Sequence, residues 1–81
     1  MAKAQHAHRY RHLPAFLRRM RQDAGLTQRD LAERLGVTHV FVHKCEVAER
    51  RVDVTEFIDW CVACGVDADK AFRDLRRQWA T

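Results

Sequence analysis

The fold of this chain is decided by residues 27–46, TQRDLAERLGVTHVFVHKCE, in which two helical segments flank a single glycine. Thr27 and Thr38 each stand at an expected N-cap, where the hydroxyl accepts a hydrogen bond from the backbone two or three residues further on. Gly36 suits the end of the first segment, because glycine adopts the left-handed conformation that closes many helices. Two helices joined by a short turn that contains glycine are typical of a helix-turn-helix unit.

Helical patterns extend on both sides of this unit. From Leu13 to Ala24, apolar residues recur at spacings of three and four, which marks one face of a helix. Asp53 with Glu56 forms a capping-box pattern, and Asp67 is a further N-cap. No window alternates between apolar and polar residues as a strand would. We therefore predict an all-α bundle of five helices, at 13–24, 27–35, 38–46, 54–64 and 68–79, in one domain over residues 13–81.

Residues 1–12 differ from the rest, since they include basic residues and three histidines but no acidic residue. They show no periodicity, so we predict a flexible basic arm. Metal binding by the arm's histidines (His6, His8 and His12) is the less favoured alternative to a solvated tail. The arm has no apolar stretch typical of a secretory signal, and no run approaches the length of a membrane span.

Composition narrows the function classes. The chain has 81 residues, of which 47% are hydrophobic, and three cysteines. That is enough for one core but leaves little material for a catalytic pocket, and no nucleophile–base pair or glycine-rich phosphate loop stands out, so we expect no enzyme. An odd number of cysteines favours free thiols in a reducing cytoplasm. The net charge of +4 is compatible with a polyanionic partner.

The third helix, 38–46, has two distinct sides. Val42 and Cys45 are predicted to face the core, with Phe41 at its edge. The opposite side is formed by His39, Val40, His43 and Lys44. Lysine donates to guanine O6 and N7 in a major groove, histidine donates or accepts according to tautomer, and valine contacts a thymine methyl. From this helix alone, an ordinary solvated polar face remains an equal alternative.

Basic and polar residues flank the third helix and favour the DNA interpretation. Helix N-termini and basic loops suit phosphate oxygens. The residues expected to bind phosphate are Gln28, Arg29, Thr38, Arg50 and Arg51.

The stretch AGLTQRDLAERLGVTHVFVHKCEVAERRVDVTEFIDWCVACGVD, residues 24–67, resembles the XRE/Cro family of lambda-repressor-like helix-turn-helix proteins. The resemblance covers roughly residues 13–78. It implies a five-helix bundle that binds double-stranded DNA as a homodimer at a near-palindromic operator, with the third helix in the major groove. It matches His39, Val40, His43 and Lys44 to base-reading positions and Gln28 to a phosphate anchor. It also implies a buried ion pair between Arg21 and Glu46.

Three positions depart from the family pattern. Ala48 stands where many members have glycine, and a site that needs positive φ would strain alanine. Cys45 replaces a larger apolar residue. The histidines at 39 and 43 replace the more usual glutamine, serine or arginine, so the resemblance implies no particular operator sequence.

The sequence also includes two potential metal-binding patterns. Cys61 and Cys64 form a CxxC inside the fourth predicted helix, where core packing is favoured over metal or redox chemistry because no further ligands complete a site. His39 and His43, spaced four apart, are a weak two-ligand alternative. We expect neither metal nor cofactor.

These features predict a sequence-specific transcription regulator, a repressor without an effector domain. Two alternatives remain: an antitoxin or adaptor whose main partner is another protein, such as a toxin, and a thiol-based redox or metal sensor on the same fold. Trp79 fits the core or a dimer seam equally well.

Overall fold

The computed structural model describes residues 8–79, and these residues form helices and short connections without a strand. The helices are α1 (His12–Asp23), α2 (Gln28–Leu35), α3 (His39–Glu46), α4 (Val54–Ala63) and α5 (Ala68–Trp79). The all-α fold is confirmed, and every predicted helix boundary lies within one residue of the observed one.

The helix starts follow from their capping residues. The Thr27 side chain accepts a hydrogen bond from the Asp30 N–H, and the Asp30 carboxylate accepts one from the Thr27 N–H, both at 3.0 Å. Asp53 and Glu56 form the same reciprocal arrangement at the start of α4. Gly36 ends α2 with φ +70°, so the left-handed turn expected between the two helices is present. These local contacts fix the α2–turn–α3 unit.

The core lies where the five helices converge, with Ala71 and Leu75 as the contribution of α5. Trp60 of α4 is buried, and its indole N–H donates to the Leu17 carbonyl oxygen of α1 at 3.1 Å. This bond satisfies the one polar atom of a large buried side chain. The other fully buried residues are Leu17, Leu31, Val42, Cys45 and Cys61. The inward direction predicted for Val42 and Cys45 is thus confirmed, and it fixes which side of α3 faces outward.

The N-terminal segment is ordered further upstream than the sequence indicated. Residues 8–10 are helical, and the Tyr10 hydroxyl accepts a hydrogen bond from the Val52 N–H at 2.8 Å. The Arg51 guanidinium lies over the Tyr10 ring, 4.3 Å from its centroid. Residues 8–12 therefore belong to the folded body, and they hold the connection between α3 and α4. The remainder of the predicted arm, residues 1–7 with His6, lies outside the described residues.

Between residues 8 and 79, no helix is both long and apolar enough to cross a membrane.

Candidate nucleic-acid interface

One side of α3 is directed away from the core and forms a surface that we call the reading face, made of His39, Val40, His43 and Lys44. His39 is half-buried, and the other three are exposed. These positions are spaced one, four and five apart, so they share one side of a helix. The reading face offers two imidazoles and an ammonium group, which can donate to acceptors on base edges in the major groove. It also offers the methyl groups of Val40, which can contact a thymine methyl.

Val47 is the C-cap of α3 and adds an exposed apolar side chain next to the reading face. It follows His43 by four residues and is exposed. The sequence interpretation stopped at Glu46 and missed it, although the same four-residue spacing would have found it.

A buried ion pair fixes α3 against α1. The Arg21 Nε donates to the Glu46 Oε2 at 2.6 Å, and the Nη2 donates to the Oε1 at 3.0 Å. The side chains are 10% and 1% exposed, and the Arg21 Nη1 also donates to the Leu26 carbonyl oxygen at 2.8 Å. The hydrogen bonds to Glu46 raise the pKa of Arg21. The pair implied by the family resemblance is present, and its two-point geometry fixes the orientation as well as the distance.

Gln28, the first residue of α2, is also bound to this pair. It is half-buried, and its Nε2 donates to the Glu46 Oε1 at 3.0 Å. The same Nε2 lies 3.5 Å from the Nδ1 of His43. The amide thus connects the ion pair to the reading face, a role that the sequence interpretation, which expected a phosphate contact, did not foresee.

Arg50 is exposed, but its guanidinium is bonded to other groups of the protein. Its Nη1 donates to the Arg51 carbonyl oxygen and to the Glu56 Oε1, both at 2.9 Å, while its Nη2 lies 2.8 Å from the Glu56 Oε2. The guanidinium also covers the Phe41 ring, 4.5 Å from its centroid. Pairing with Glu56 raises the pKa of Arg50, and the same hydrogen bonding lowers the pKa of Glu56. Arg50 therefore holds the loop after α3 against the start of α4.

Arg29 and Thr38 remain directed toward solvent. Arg29 is exposed at the second position of α2. Thr38 is the exposed N-cap of α3, and its hydroxyl oxygen accepts from the Phe41 N–H at 3.2 Å. A hydroxyl that accepts through its oxygen still has a proton to donate. Both side chains therefore keep a hydrogen-bond donor accessible to solvent.

The turn after α3 explains one departure from the family pattern. Ala48 has φ +66°, the left-handed region that favours glycine. The backbone N–H groups of Glu49 and Arg50 donate to the Lys44 carbonyl oxygen at 2.9 and 3.2 Å. The backbone thus keeps a glycine-type turn although alanine occupies the position.

A groove beside the reading face adds positive charge from α1. It is lined by Arg11 and Arg18 of the N-terminal region together with Val47 and Ala48 of the turn. Both arginines are exposed. The sequence interpretation missed them, because α1 is distant in sequence and only packing brings it beside the end of α3.

The three cysteines are buried and free. Burial raises the pKa of Cys61 to about 11 and also raises those of Cys45 and Cys64. Thiols held in the neutral form are poor nucleophiles and poor metal ligands. Among residues 8–79, no three histidine, cysteine or acidic side chains group as a metal site would require.

Comparisons with known proteins agree with this architecture. A family model described as a helix-turn-helix domain matches residues 12–78. The structure is similar to that of an XRE-family like protein from Pseudomonas syringae pv. tomato strain DC3000, with 43% sequence identity, a TM-score of 0.85, and coverage of 95% of this chain and 94% of that one. A comparison with curated proteins gives no match.

Two further solved structures have the same arrangement of helices. The clp gene regulator ClgR from Corynebacterium glutamicum is 26% identical, with a TM-score of 0.75 and coverage of 86% of this chain and 91% of that one. A mutant of the restriction–modification controller protein C.Esp1396I is 16% identical, with a TM-score of 0.82 and coverage of 90% and 97%. At that identity, the controller protein supports the fold alone.

Proposed function

This chain belongs to the XRE family of helix-turn-helix proteins and is a DNA-binding transcription regulator, and we propose that it recognises a near-palindromic operator as a homodimer, with α3 in the major groove. The observation that supports this proposal best is the reading face itself. Its donors and apolar group, of which His39 is half-buried and the others are exposed, lie on a helix whose inner side is held by Val42, Cys45 and the Arg21–Glu46 pair. A rigid helix with such an outer face fits direct readout of base edges.

We assign base contacts to His39, Val40, His43 and Lys44. Phosphate contacts come from exposed groups on either side of the reading face, because such contacts position a protein on the duplex without reading its sequence. Arg29 and Thr38 supply them on one side, and the groove residues Arg11 and Arg18 supply them on the other. Of the remaining expected phosphate ligands, Gln28, Arg50 and Arg51 make internal contacts. They contact phosphate only through the N–H groups that these partners do not use.

The proposed homodimer rests on an exposed apolar stripe on α4, which a second copy of the chain would cover. Val54, Ile58 and Val62 lie four residues apart and are exposed, as is Phe72 of the neighbouring α5. An isologous interface formed by this stripe would give two reading helices related by a two-fold axis. Such a pair reads half-sites about 34–36 Å apart, one turn of DNA. Trp79, 37% exposed and 5.9 Å from the His12 ring, packs on the fold and adds its outer part to this surface.

Repression is the proposed outcome of this binding, through occupation of an operator that polymerase must enter. We place the protein in the cytoplasm, which contains the DNA. Its reducing conditions keep the three cysteines as free thiols.

The decisive experiment is selection of bound sequences from a random pool of DNA duplexes. We expect enrichment of a near-palindromic sequence. Lys44→Ala should weaken binding to that sequence by about 1–3 kcal/mol, or roughly 5- to 150-fold. Lys70→Ala removes the same charge from α5 and serves as the matched control. Failure to enrich any sequence would reject sequence-specific binding, whereas an equal loss on all sequences would restrict Lys44 to phosphate contact.

The exposed stripe of α4 also supports a second candidate, an antitoxin or adaptor that uses it to bind a different protein. Sedimentation of the purified chain at micromolar concentration separates the two. A dimer that Ile58→Asp dissociates favours the operator-binding homodimer. A monomer that binds no selected duplex favours the protein partner.

A further inference from the structure

Gln28 lies between the buried ion pair and a residue of the reading face. Its Nε2 is 3.0 Å from the Glu46 Oε1 and 3.5 Å from the His43 Nδ1. One amide group therefore faces a carboxylate on one side and an imidazole on the other.

The direction of this amide is set by Glu46. The carboxylate already receives two N–H groups from Arg21, and an ionised carboxylate only accepts hydrogen bonds. The opposite orientation of the amide would place its carbonyl oxygen 3.0 Å from a carboxylate oxygen with no proton between them. The chemistry of the neighbour therefore decides the orientation.

The same amide then acts on His43. Since Nε2 is a donor, it is compatible with a His43 Nδ1 that has a free lone pair. The alternative tautomer would place a ring N–H against an amide N–H, two donors facing each other. We infer that Gln28 holds His43 as the tautomer with its proton on Nε2, so that a hydrogen-bond donor is directed outward from the reading face.

This tautomer defines the base edge that His43 recognises. A ring Nε2–H requires an acceptor, and guanine presents two adjacent acceptors, N7 and O6, in the major groove. Thymine also presents an acceptor, O4, and adenine presents N7 beside a donor, whereas cytosine presents only a donor. Gln28 is thus a positioning residue that makes His43 discriminate against cytosine, with guanine presenting the largest acceptor edge. This step rests on the proposed base-reading role of α3, whereas the tautomer itself does not depend on DNA.

The tautomer can be measured in the free protein by long-range proton–nitrogen correlation spectra of a ¹⁵N-labelled sample at about pH 8, above the range where histidine ordinarily titrates. We expect His43 predominantly in the Nε2–H form. Gln28→Met keeps the length of the side chain but removes the donor, and it should give a mixture of tautomers at His43 alone, with His39 as the reference in the same spectrum. Arg29→Ala, at the next position of α2, should leave the His43 signals unchanged.

A His43 with its proton on Nδ1, in the unmodified protein, would overturn the inference even if Gln28→Met failed to fold. So would a folded Gln28→Met variant in which the tautomer is unchanged.

The consequence for DNA is tested by measuring affinity for four versions of the selected operator. They differ only in the base at the position where His43→Ala changes the preference. We expect Gln28→Met to reduce the preference for guanine over cytosine there by about 5- to 10-fold, while Arg29→Ala lowers affinity for all sequences alike. A preference unaffected by Gln28→Met would reject this discrimination against cytosine, although the tautomer had been confirmed. A protein that binds no duplex would reject the proposed function and leave the spectroscopic result standing.

Discussion

Removal of the Glu46 carboxylate should destabilise the fold severely, because this side chain is only 1% exposed. The effect is expected although Glu46 does not lie on the reading face. Glu46 accepts hydrogen bonds from the Nε and Nη2 of Arg21 and from the amide of Gln28. Its replacement by methionine keeps the volume but leaves the guanidinium buried, with the Leu26 carbonyl oxygen as its remaining partner in the structure. A buried charge that loses its counter-ion is the main source of the effect.

The expected magnitude is large relative to the whole stability of the domain. Breaking a buried pair from one side costs about 3–5 kcal/mol. For 81 residues, at about 0.05–0.15 kcal/mol each, the total free energy of unfolding is about 4–12 kcal/mol. Glu46→Met and Arg21→Met should therefore each bring the protein close to unfolding at 25 °C. The double variant has no buried charge and should lie within about 2 kcal/mol of the parent, because packed apolar residues replace such pairs at little loss.

The assay is urea unfolding at neutral pH, followed by far-UV circular dichroism, with the four proteins combined as a double-mutant cycle. The exposed Arg19–Asp23 pair, whose side chains are 77% and 66% exposed, provides the matched control. Its cycle should give a coupling energy of about 0–1 kcal/mol. Additive losses at Arg21 and Glu46, or single losses no larger than those of the surface pair, would refute the reasoning.

Three further predictions concern the turn, a thiol and a carboxyl group. Ala48→Gly should raise the free energy of unfolding by about 0.5–1 kcal/mol, because relief of positive φ outweighs the entropy of glycine; Ala15→Gly, inside α1, should lower it by a similar amount, and a loss at both positions would contradict the strain. Cys61 has a pKa raised to about 11, so its thiol should react with a disulfide reagent only after unfolding, and Cys61→Ala should lose about 1 kcal/mol of stability without changing the operator selected; rapid labelling of the native protein would contradict its burial. Glu56 has a lowered pKa, chiefly because of its hydrogen bond with Arg50. Its contribution to stability is therefore present above the ordinary carboxyl pKa of about 4 and is lost as the pH falls below that value. Glu56→Gln should reduce the fall of the urea midpoint from pH 6 downward, and an unchanged fall would show that other groups cause it.

The fold could be predicted from the sequence because its decisive signals are local. Thr27, Asp53 and Gly36 act within one turn of their own positions, so spacing alone located the helix ends. Val42 and Cys45 were placed correctly because a helix of known phase has only one apolar side. The Arg21–Glu46 pair was accessible through family resemblance, since the two residues are 25 positions apart and no local pattern links them.

The parts of the site that escaped prediction depend on contacts between distant segments. Tyr10 lies in a stretch without periodicity, and only the folded chain brings its hydroxyl to the Val52 N–H. Arg50 was expected to be free for phosphate, yet Glu56 and the Phe41 ring engage it. Gln28 was likewise expected to contact a DNA phosphate, yet its amide donates to Glu46. A polar residue at a helix start shows no sign in the sequence of whether its partner lies inside the protein or outside it.

These hidden contacts bear directly on recognition, because α3 has only eight residues. A helix of two turns is not stable on its own backbone hydrogen bonds, so its position must come from tertiary contacts. On its inner side, α3 packs through the buried Val42 and Cys45. Its last residue pairs with Arg21, and the loop after it is held by the Arg50–Glu56 ion pair. Substitutions on the reading face should therefore change the preferred sequence without loss of stability, whereas substitutions at Glu46 or Glu56 should weaken binding to every sequence by displacing the helix as a unit.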